Sequence, residues 1–257
     1  MANKPKLIVA NWKMNLGHEI SKFLANDIAA GLLDYSFNNL KIIICPSFIS
    51  LQEVNEIFKK SKLDINIGAQ DVFWEAPGAY TGEISPIFLK EIGCHYVIIG
   101  HSERRFYLHE TNNMINQKIK SALAEEITPI LCVGETQEER KEGTVDHLII
   151  GQIKDALEGV VFSPNQKIII AYEPNWIIGT GQTLSPEEVA RIVRLIKKYF
   201  TDHYSSEFVE NSLMVIYGGS INSRNIKSFV QQEVIDGFGV GGASLKADEF
   251  IKIIKSV

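Results

Sequence analysis

The chain has 257 residues, 45% of them apolar, with 26 Lys+Arg against 31 Asp+Glu and a formal charge of −5. That is enough chain for one large domain or two small ones, and 19 Gly with 8 Pro fall far short of a disordered or collagen-like composition. The mildly acidic balance excludes whole-molecule attraction for nucleic acid or anionic lipid, so any anionic ligand must be held by a local site.

Met1 to Lys6 is basic but runs into a four-residue apolar stretch, too short for a signal sequence or a membrane span. The first such stretch, Leu7 to Ala10, is followed by helical periodicity over Glu19 to Ala30. The alternation then repeats: Lys41 to Cys45 before Leu51 to Lys60, Asp64 to Gly68 before Ile87 to Ile92, and Tyr96 to Ile99 before Asn112 to Ala124. It continues with Pro129 to Val133 before Val145 to Leu157, Lys167 to Tyr172 before Pro186 to Phe200, Leu213 to Tyr217 before Asn225 to Gln232, and Ile235 to Val240 before Ala247 to Lys255. The apolar runs barely alternate, as parallel strands covered on both faces require. Ser185-Pro186-Glu187-Glu188 gives the clearest helix start, with Ser185 as cap, Pro186 at the first position and Glu188 closing a capping box. Eight β-then-α units of about thirty residues each, with no linker between them, predict a single-domain α/β (β/α)8 TIM barrel over residues 1–257. Cys45, Cys94 and Cys132 are odd in number, widely spaced and form no C-x-x-C, which suits a reducing compartment and predicts a cytoplasmic protein.

In such a barrel the chemistry sits at the C-terminal ends of the strands. Those ends carry Asn11 and Lys13, Gln70, His101 with Glu103, Glu135, Glu173, Gly218-Gly219-Ser220 and Gly241-Gly242. The glycine turns after the last two strands can aim backbone N–H groups at an anion, although tight turns alone would also use glycine. Residues 237–242 also spell G-x-G-x-x-G, but no βαβ unit remains after them to hold a dinucleotide. Glu173, between an apolar run and Pro174, is a candidate general base, against the alternative of a solvated strand-end carboxylate. His101 opens a short helical turn and is biased there to stay neutral, while the six histidines form no zinc motif. Lys13 is either a point charge for an anion or a Schiff-base nucleophile, and burial of Trp12 and Met14 beside it would argue against a plain surface lysine. Residues 174–184 read as a lid with an apolar tip, and Asp71 to Glu83, with Phe73, Trp74 and Tyr80, as a subunit contact. These features leave open proton-transfer chemistry, a Schiff-base aldolase on a phosphorylated sugar, and a non-catalytic phosphometabolite-binding barrel.

Asn11-Trp12-Lys13-Met14-Asn15, Gly100-His101-Ser102-Glu103-Arg104-Arg105, Tyr172-Glu173-Pro174 with Ile178-Gly179-Thr180-Gly181, Tyr217-Gly218-Gly219-Ser220 and Val240-Gly241-Gly242-Ala243-Ser244-Leu245 occur in order along the chain. In these motifs the sequence resembles the triosephosphate isomerase family. The resemblance implies interconversion of dihydroxyacetone phosphate and D-glyceraldehyde 3-phosphate, in glycolysis and gluconeogenesis, through an enediolate and without a metal or organic cofactor. It implies Glu173 as base, His101 as the group that polarises the carbonyl, Lys13 as charge stabiliser, and Asn11 as the residue that orients substrate. Gly179, Ser220, Gly241 and Gly242 would hold the phosphate, Glu103 would support Lys13, Tyr217 and Ser220 would latch the closed lid, and Trp176 would swing near Glu135. The loop carrying Thr81 resembles the family's dimer loop, implying a homodimer in which Thr81 reaches the partner's Lys13; no nucleic-acid or membrane partner is implied. Three positions depart from the family pattern: Gly239 stands where leucine is usual, Ile177 where alanine is, and Asn175 where an apolar residue is. Gly239 would leave Glu173 better hydrated unless Ile177 or Ile178 fills the gap.

Overall fold

A computed structural model describes residues 5–177, 180 and 182–257. Its first half runs β1 (Lys6–Asn11), α1 (His18–Leu32), β2 (Leu40–Cys45), α2 (Leu51–Ser61), β3 (Ile65–Ala69), α3 (Pro86–Glu91), β4 (Tyr96–Ile99), α4 (Ser102–Tyr107) and α5 (Asn112–Ala124). The second half runs β5 (Thr128–Val133), α6 (Gln137–Lys141), α7 (Val145–Ala156), β6 (Ile168–Tyr172), α8 (Pro186–His203), α9 (Ser206–Asn211), β7 (Leu213–Tyr217), α10 (Ile226–Val230), β8 (Gly237–Val240) and α11 (Ala247–Ile254). The strands form a closed parallel barrel in chain order, β8 pairing back onto β1 through Leu7↔Gly237 to Ala10↔Val240.

All eight apolar runs are strands, with ends moved by one or two residues. Ile235 and Asp236 lie outside β8, where Asp236 instead accepts the backbone N–H of Val215 and pairs with Lys197. Alternate residues of the strands make a barrel interior of Leu7, Val9, Ile43, Ile98, Ile130, Ile169 and Ile216, while the other face packs under the helices. Both faces are therefore dry, which is why the sequence shows continuous rather than alternating apolarity.

α8 shows how the outer layer forms. Val189, Ala190, Val193, Ile196 and Phe200 recur at helical spacing and are all buried. Each of the larger ones stabilises the fold by about 1.5–3 kcal/mol on burial. Ser185 caps this helix, its Oγ accepting from the Glu188 N–H at 3.2 Å, but the predicted capping box is only half made. The Glu188 carboxylate binds Arg140 and Arg191 instead, because a guanidinium outcompetes a neutral N–H for a carboxylate. The reciprocal box belongs to α6, between Thr136 and Glu139.

The long segment after β3 is fastened at its root by buried charge. Lys118 Nζ lies 2.7 Å and 2.9 Å from the two Asp71 oxygens and also binds Glu110, and Arg104 bridges Asp71 and Glu110. Burial pushes the Asp71 carboxyl up, against the pull of Lys118 and Arg104. Phe73 N–H donates to Ile84 O at 2.9 Å, closing the segment into a loop whose Phe73, Trp74 and Tyr80 rings pack on one another. Among the described residues no helix is long and apolar enough to cross a membrane.

Candidate active site

The strand register sets the site. Val133 pairs with Tyr172, Tyr172 with Tyr217 and Tyr217 with Phe238. One step further, Gly134, Glu173, Gly218 and Gly239 form a row across four neighbouring strands, and Gly239 is in register with Val9 of the barrel interior. Glu173 N–H donating to Val133 O and Gly218 N–H to Tyr172 O, both at 2.8 Å, extend the ladder to this row. Glu173 is the one long side chain among the four. A Cβ at Gly218 would stand 2.6 Å from Glu173 Cγ, and one at Gly134 would stand 1.8 Å from the Glu173 carbonyl oxygen. Both positions are glycine because Glu173 occupies the space.

Glu173 is nearly buried, and its Oε2 makes no hydrogen bond among the described residues. His101 Nε2 stands 3.5 Å from that oxygen. His101 caps α4, its Nδ1 accepting the Glu103 backbone N–H at 3.2 Å. An Nδ1 that accepts carries no proton, so the neutral ring presents its N–H through Nε2, into the cavity. The Cys132 thiol lies against Glu173; burial first, and the Glu173 charge second, push its pKa well up.

Lys13 lies opposite, in the left-handed backbone region at φ 51°. Three contacts hold this strained turn: Lys13 N–H donates to Asn11 Oδ1 at 3.0 Å, Lys13 O accepts from Gln70 Nε2 at 2.9 Å, and Lys13 Nζ meets Glu103 Oε1 at 2.6 Å. Beside it Trp12 is fully buried, but Met14 is 96% exposed, against the expectation that both neighbours would be covered. The turn that points Lys13 into the cavity rolls the next side chain outward.

The opposite rim is backbone. Gly218, Gly219, Ser220, Gly241 and Gly242 line the same cavity as Asn11, Lys13, His101 and Glu173, a space of about 550 Å³. A Cβ on Gly219 would meet the Tyr217 hydroxyl at 2.0 Å, whereas Gly242 has open space where a side chain would be. Gly242–Leu245 is a 3-10 turn fixed by Ser244, whose N–H and hydroxyl both donate to Gly241 O, at 2.9 Å and 2.7 Å. Asn225 Nδ2 donates to Ser220 O at 2.8 Å. Such a rim can receive a multiply charged anion through fixed N–H groups. Gly179, assigned to the phosphate by resemblance, lies outside the described residues, as do Ile178 and Gly181.

The described residues of the 174–184 segment are held at both ends. Trp176 Nε1 donates to Glu135 Oε1 at 3.3 Å, and the same buried oxygen receives Tyr172 OH at 3.2 Å and Arg140 Nη1 at 3.0 Å. At the other end Tyr217 OH meets Thr183 Oγ1 at 3.2 Å and accepts the Leu184 N–H at 3.4 Å. Asn175 is bound into the first hinge, its N–H donating to Glu135 O at 2.9 Å. Ile177 is buried in the layer under the helices and does not line the cavity, so it does not fill the space beside Gly239. Thr81 is exposed at the tip of the 71–85 loop, outside the cavity.

Sequence reading gave no role to Gln70 or Arg105. Gln70 holds the carbonyls of Lys13 and Cys45 together. Arg105 braces the back of the site, binding Gly100 O at 2.8 Å and Asn112 Oδ1 at 2.7 Å. Gln70 sits at a strand end and Arg105 closes the Gly100–Arg105 motif, which were the available signals.

The sequence profile of the triosephosphate isomerase family matches residues 6–257. The triosephosphate isomerase of Dictyoglomus thermophilum is 47% identical over 252 residues, covering 98% of this chain and 99% of the relative. That of Dictyoglomus turgidum is 45% identical over 251 residues with the same coverage. That of Thermoanaerobacter sp. is 41% identical over 248 residues, covering 96% of this chain and 98% of the relative.

Proposed function

The chain belongs to the triosephosphate isomerase family, and on that premise we propose how its own residues carry out the aldose–ketose isomerisation of dihydroxyacetone phosphate and D-glyceraldehyde 3-phosphate. Glu173 removes the proton from the carbon next to the carbonyl, and the electrons move onto the carbonyl oxygen to give an enediolate. His101, presenting Nε2–H, polarises the carbonyl and passes protons between the two oxygens. Lys13 balances the developing negative charge, Glu103 holds Lys13 in place, and Asn11 orients the substrate. Ser220, Gly241 and Gly242, with Gly179, bind the phosphate.

The observation that carries this reading is a buried carboxylate oxygen, Glu173 Oε2, that has no hydrogen bond among the described residues and lies 3.5 Å from an imidazole nitrogen whose ring partner is already engaged. An oxygen so placed is available to a carbon-bound proton. Base catalysis of this kind contributes on the order of 10²–10⁴-fold, and each fixed donor at the developing oxyanion about 3 kcal/mol. The fixed charges cost no reorganisation as the enediolate forms. Closing the lid through Trp176 and Glu135 on one side, and Tyr217 and Ser220 on the other, excludes water that would otherwise let the enediolate expel its phosphate.

We read the assembly as a cytoplasmic homodimer, with Thr81 of the aromatic loop reaching the partner subunit. Met14 at 96% and Tyr80 at 44% exposure are the surfaces such a contact would cover. The assay is interconversion of the two triose phosphates, which Glu173→Gln should reduce by at least a hundredfold; full turnover in that variant would remove Glu173 as base. Borohydride trapping with substrate separates the aldolase reading, since a covalent adduct at Lys13 would contradict the isomerase mechanism.

A further inference from the structure

Three glycines share the row with the base, and they are not equivalent. Gly134 and Gly218 are forced, since any side chain there would strike Glu173. Gly239 is less constrained: among the described residues the three atoms nearest a Cβ there are Gly218 Cα at 3.1 Å, Tyr217 O at 3.8 Å and Gly218 N at 3.9 Å, so it would need only a small backbone adjustment, and Gly239 lines the cavity. Glu173 lies over Gly218, and Gly239 is the next position beyond it. Two residues further on, just past the end of β8 and roughly 7 Å away, Gly241 lines the rim assigned to the phosphate. Among the described residues the missing side chain thus leaves a hollow beside the base and below the phosphate rim, on the side where the reacting carbons would lie. The cavity wall includes the apolar side chains of Val9, Ala171 and Ile216, which suit a small alkyl group.

We propose that Gly239 sets substrate tolerance at the reacting end, and that this site accepts phosphorylated hydroxy-ketones one carbon larger than the triose, R–CHOH–CO–CH2–O–phosphate with R a methyl or hydroxymethyl group. The proposal rests on the isomerase reading. The C1–H bond breaks, Glu173 takes the proton, the C1–C2 enediolate forms, and a proton returns to C2 to give R–CO–CHOH–CH2–O–phosphate. Nothing is oxidised or reduced overall. A pocket that fits the triose closely would reject the extra carbon by roughly 10–200-fold.

The test compares kcat/KM for dihydroxyacetone phosphate and for its 1-methyl homologue, read as carbon-bound deuterium incorporation in D2O by NMR. The wild-type protein should favour the triose by less than tenfold. Gly239→Leu should worsen the homologue-to-triose ratio by at least tenfold, and Gly239→Ala by a smaller factor in the same direction. Circular dichroism establishes folding, and if the leucine variant does not fold, the wild-type ratio and the alanine variant decide. A wild-type preference above tenfold, or a ratio unchanged in every folded variant, overturns the proposal. Absence of exchange with the triose itself would instead refute the isomerase reading.

Discussion

On the β1 and β4 side of the cavity, the groups that face the ligand are side chains held by other groups: Lys13 by Glu103 and Gln70, and His101 by the Glu103 backbone. On the β7 and β8 side they are backbone N–H groups beside glycines, shaped by turns and by the room that neighbouring side chains leave. In the proposed mechanism the first side would supply charge and proton transfer at defined atoms, which needs long side chains and therefore braces. The second would accommodate a phosphate, which needs close approach of several donors and therefore no side chains. Glu173 stands at the boundary, its carboxylate facing His101 and its methylenes lying over Gly218.

Breaking the glycine side where it touches the base should have the largest effect. Gly218→Ala places a Cβ 2.6 Å from Glu173 Cγ and 2.9 Å from its Oε1, so the carboxylate must shift. Because misplacement by about 1 Å costs roughly a hundredfold, kcat should fall by that order while inhibitor affinity changes less. Steady-state kinetics beside phosphoglycolate binding would show it; an unchanged kcat would mean that the row geometry does not position the base. On the charged side Glu103→Gln keeps the shape and removes the charge opposite Lys13. A loss of about tenfold in kcat/KM should follow, in keeping with one charge-assisted contact at a partly exposed pair. A loss above a hundredfold would give Glu103 a role beyond support.

Three buried thiols lie in the core, and of these Cys132 lines the cavity, so their pH response tests the packing beneath the site. Burial raises Cys45, Cys94 and Cys132, Cys94 to about 12, from an ordinary value of 9.0. The unfolded chain then releases protons above pH 9 that the folded chain keeps. This contribution is fully present below that pH and is lost as pH rises, by about 1.4 kcal/mol per unit for each thiol. Urea midpoints at pH 8 and pH 10 should show the decline, and Cys132→Ala should make it shallower; a flat profile would mean that these thiols ionise in the fold. The smallest effect belongs to the lid. Tyr217→Phe removes contacts of 3.2 Å and 3.4 Å, worth about 1 kcal/mol together, so turnover should change less than fivefold.

Much of this was legible before any coordinates. The eight strands announced themselves because parallel strands buried on both faces cannot tolerate polar alternation, and α5 matched its predicted bounds, Asn112 to Ala124, with Thr111 as its cap. The residues that line the cavity were legible because barrel chemistry collects at strand ends, where Glu173, His101 and Lys13 interrupt apolar runs. Other features were not. Glu188 chose Arg140 and Arg191 over its own helix start, and Met14 turned outward although its neighbour Trp12 is buried.

The sequence by itself determined the barrel, its order of elements and the identity of the polar residues at its mouth, because those follow from local periodicity and from where apolar runs end. Only the tertiary structure decided that Gly134, Glu173, Gly218 and Gly239 share one row, that two of those glycines are forced by the base and the third is not, and that Gln70 and Arg105 brace the site. Register between strands joins residues as far as 230 positions apart, Val9 with Gly239, and no local pattern in the chain encodes which of them meet.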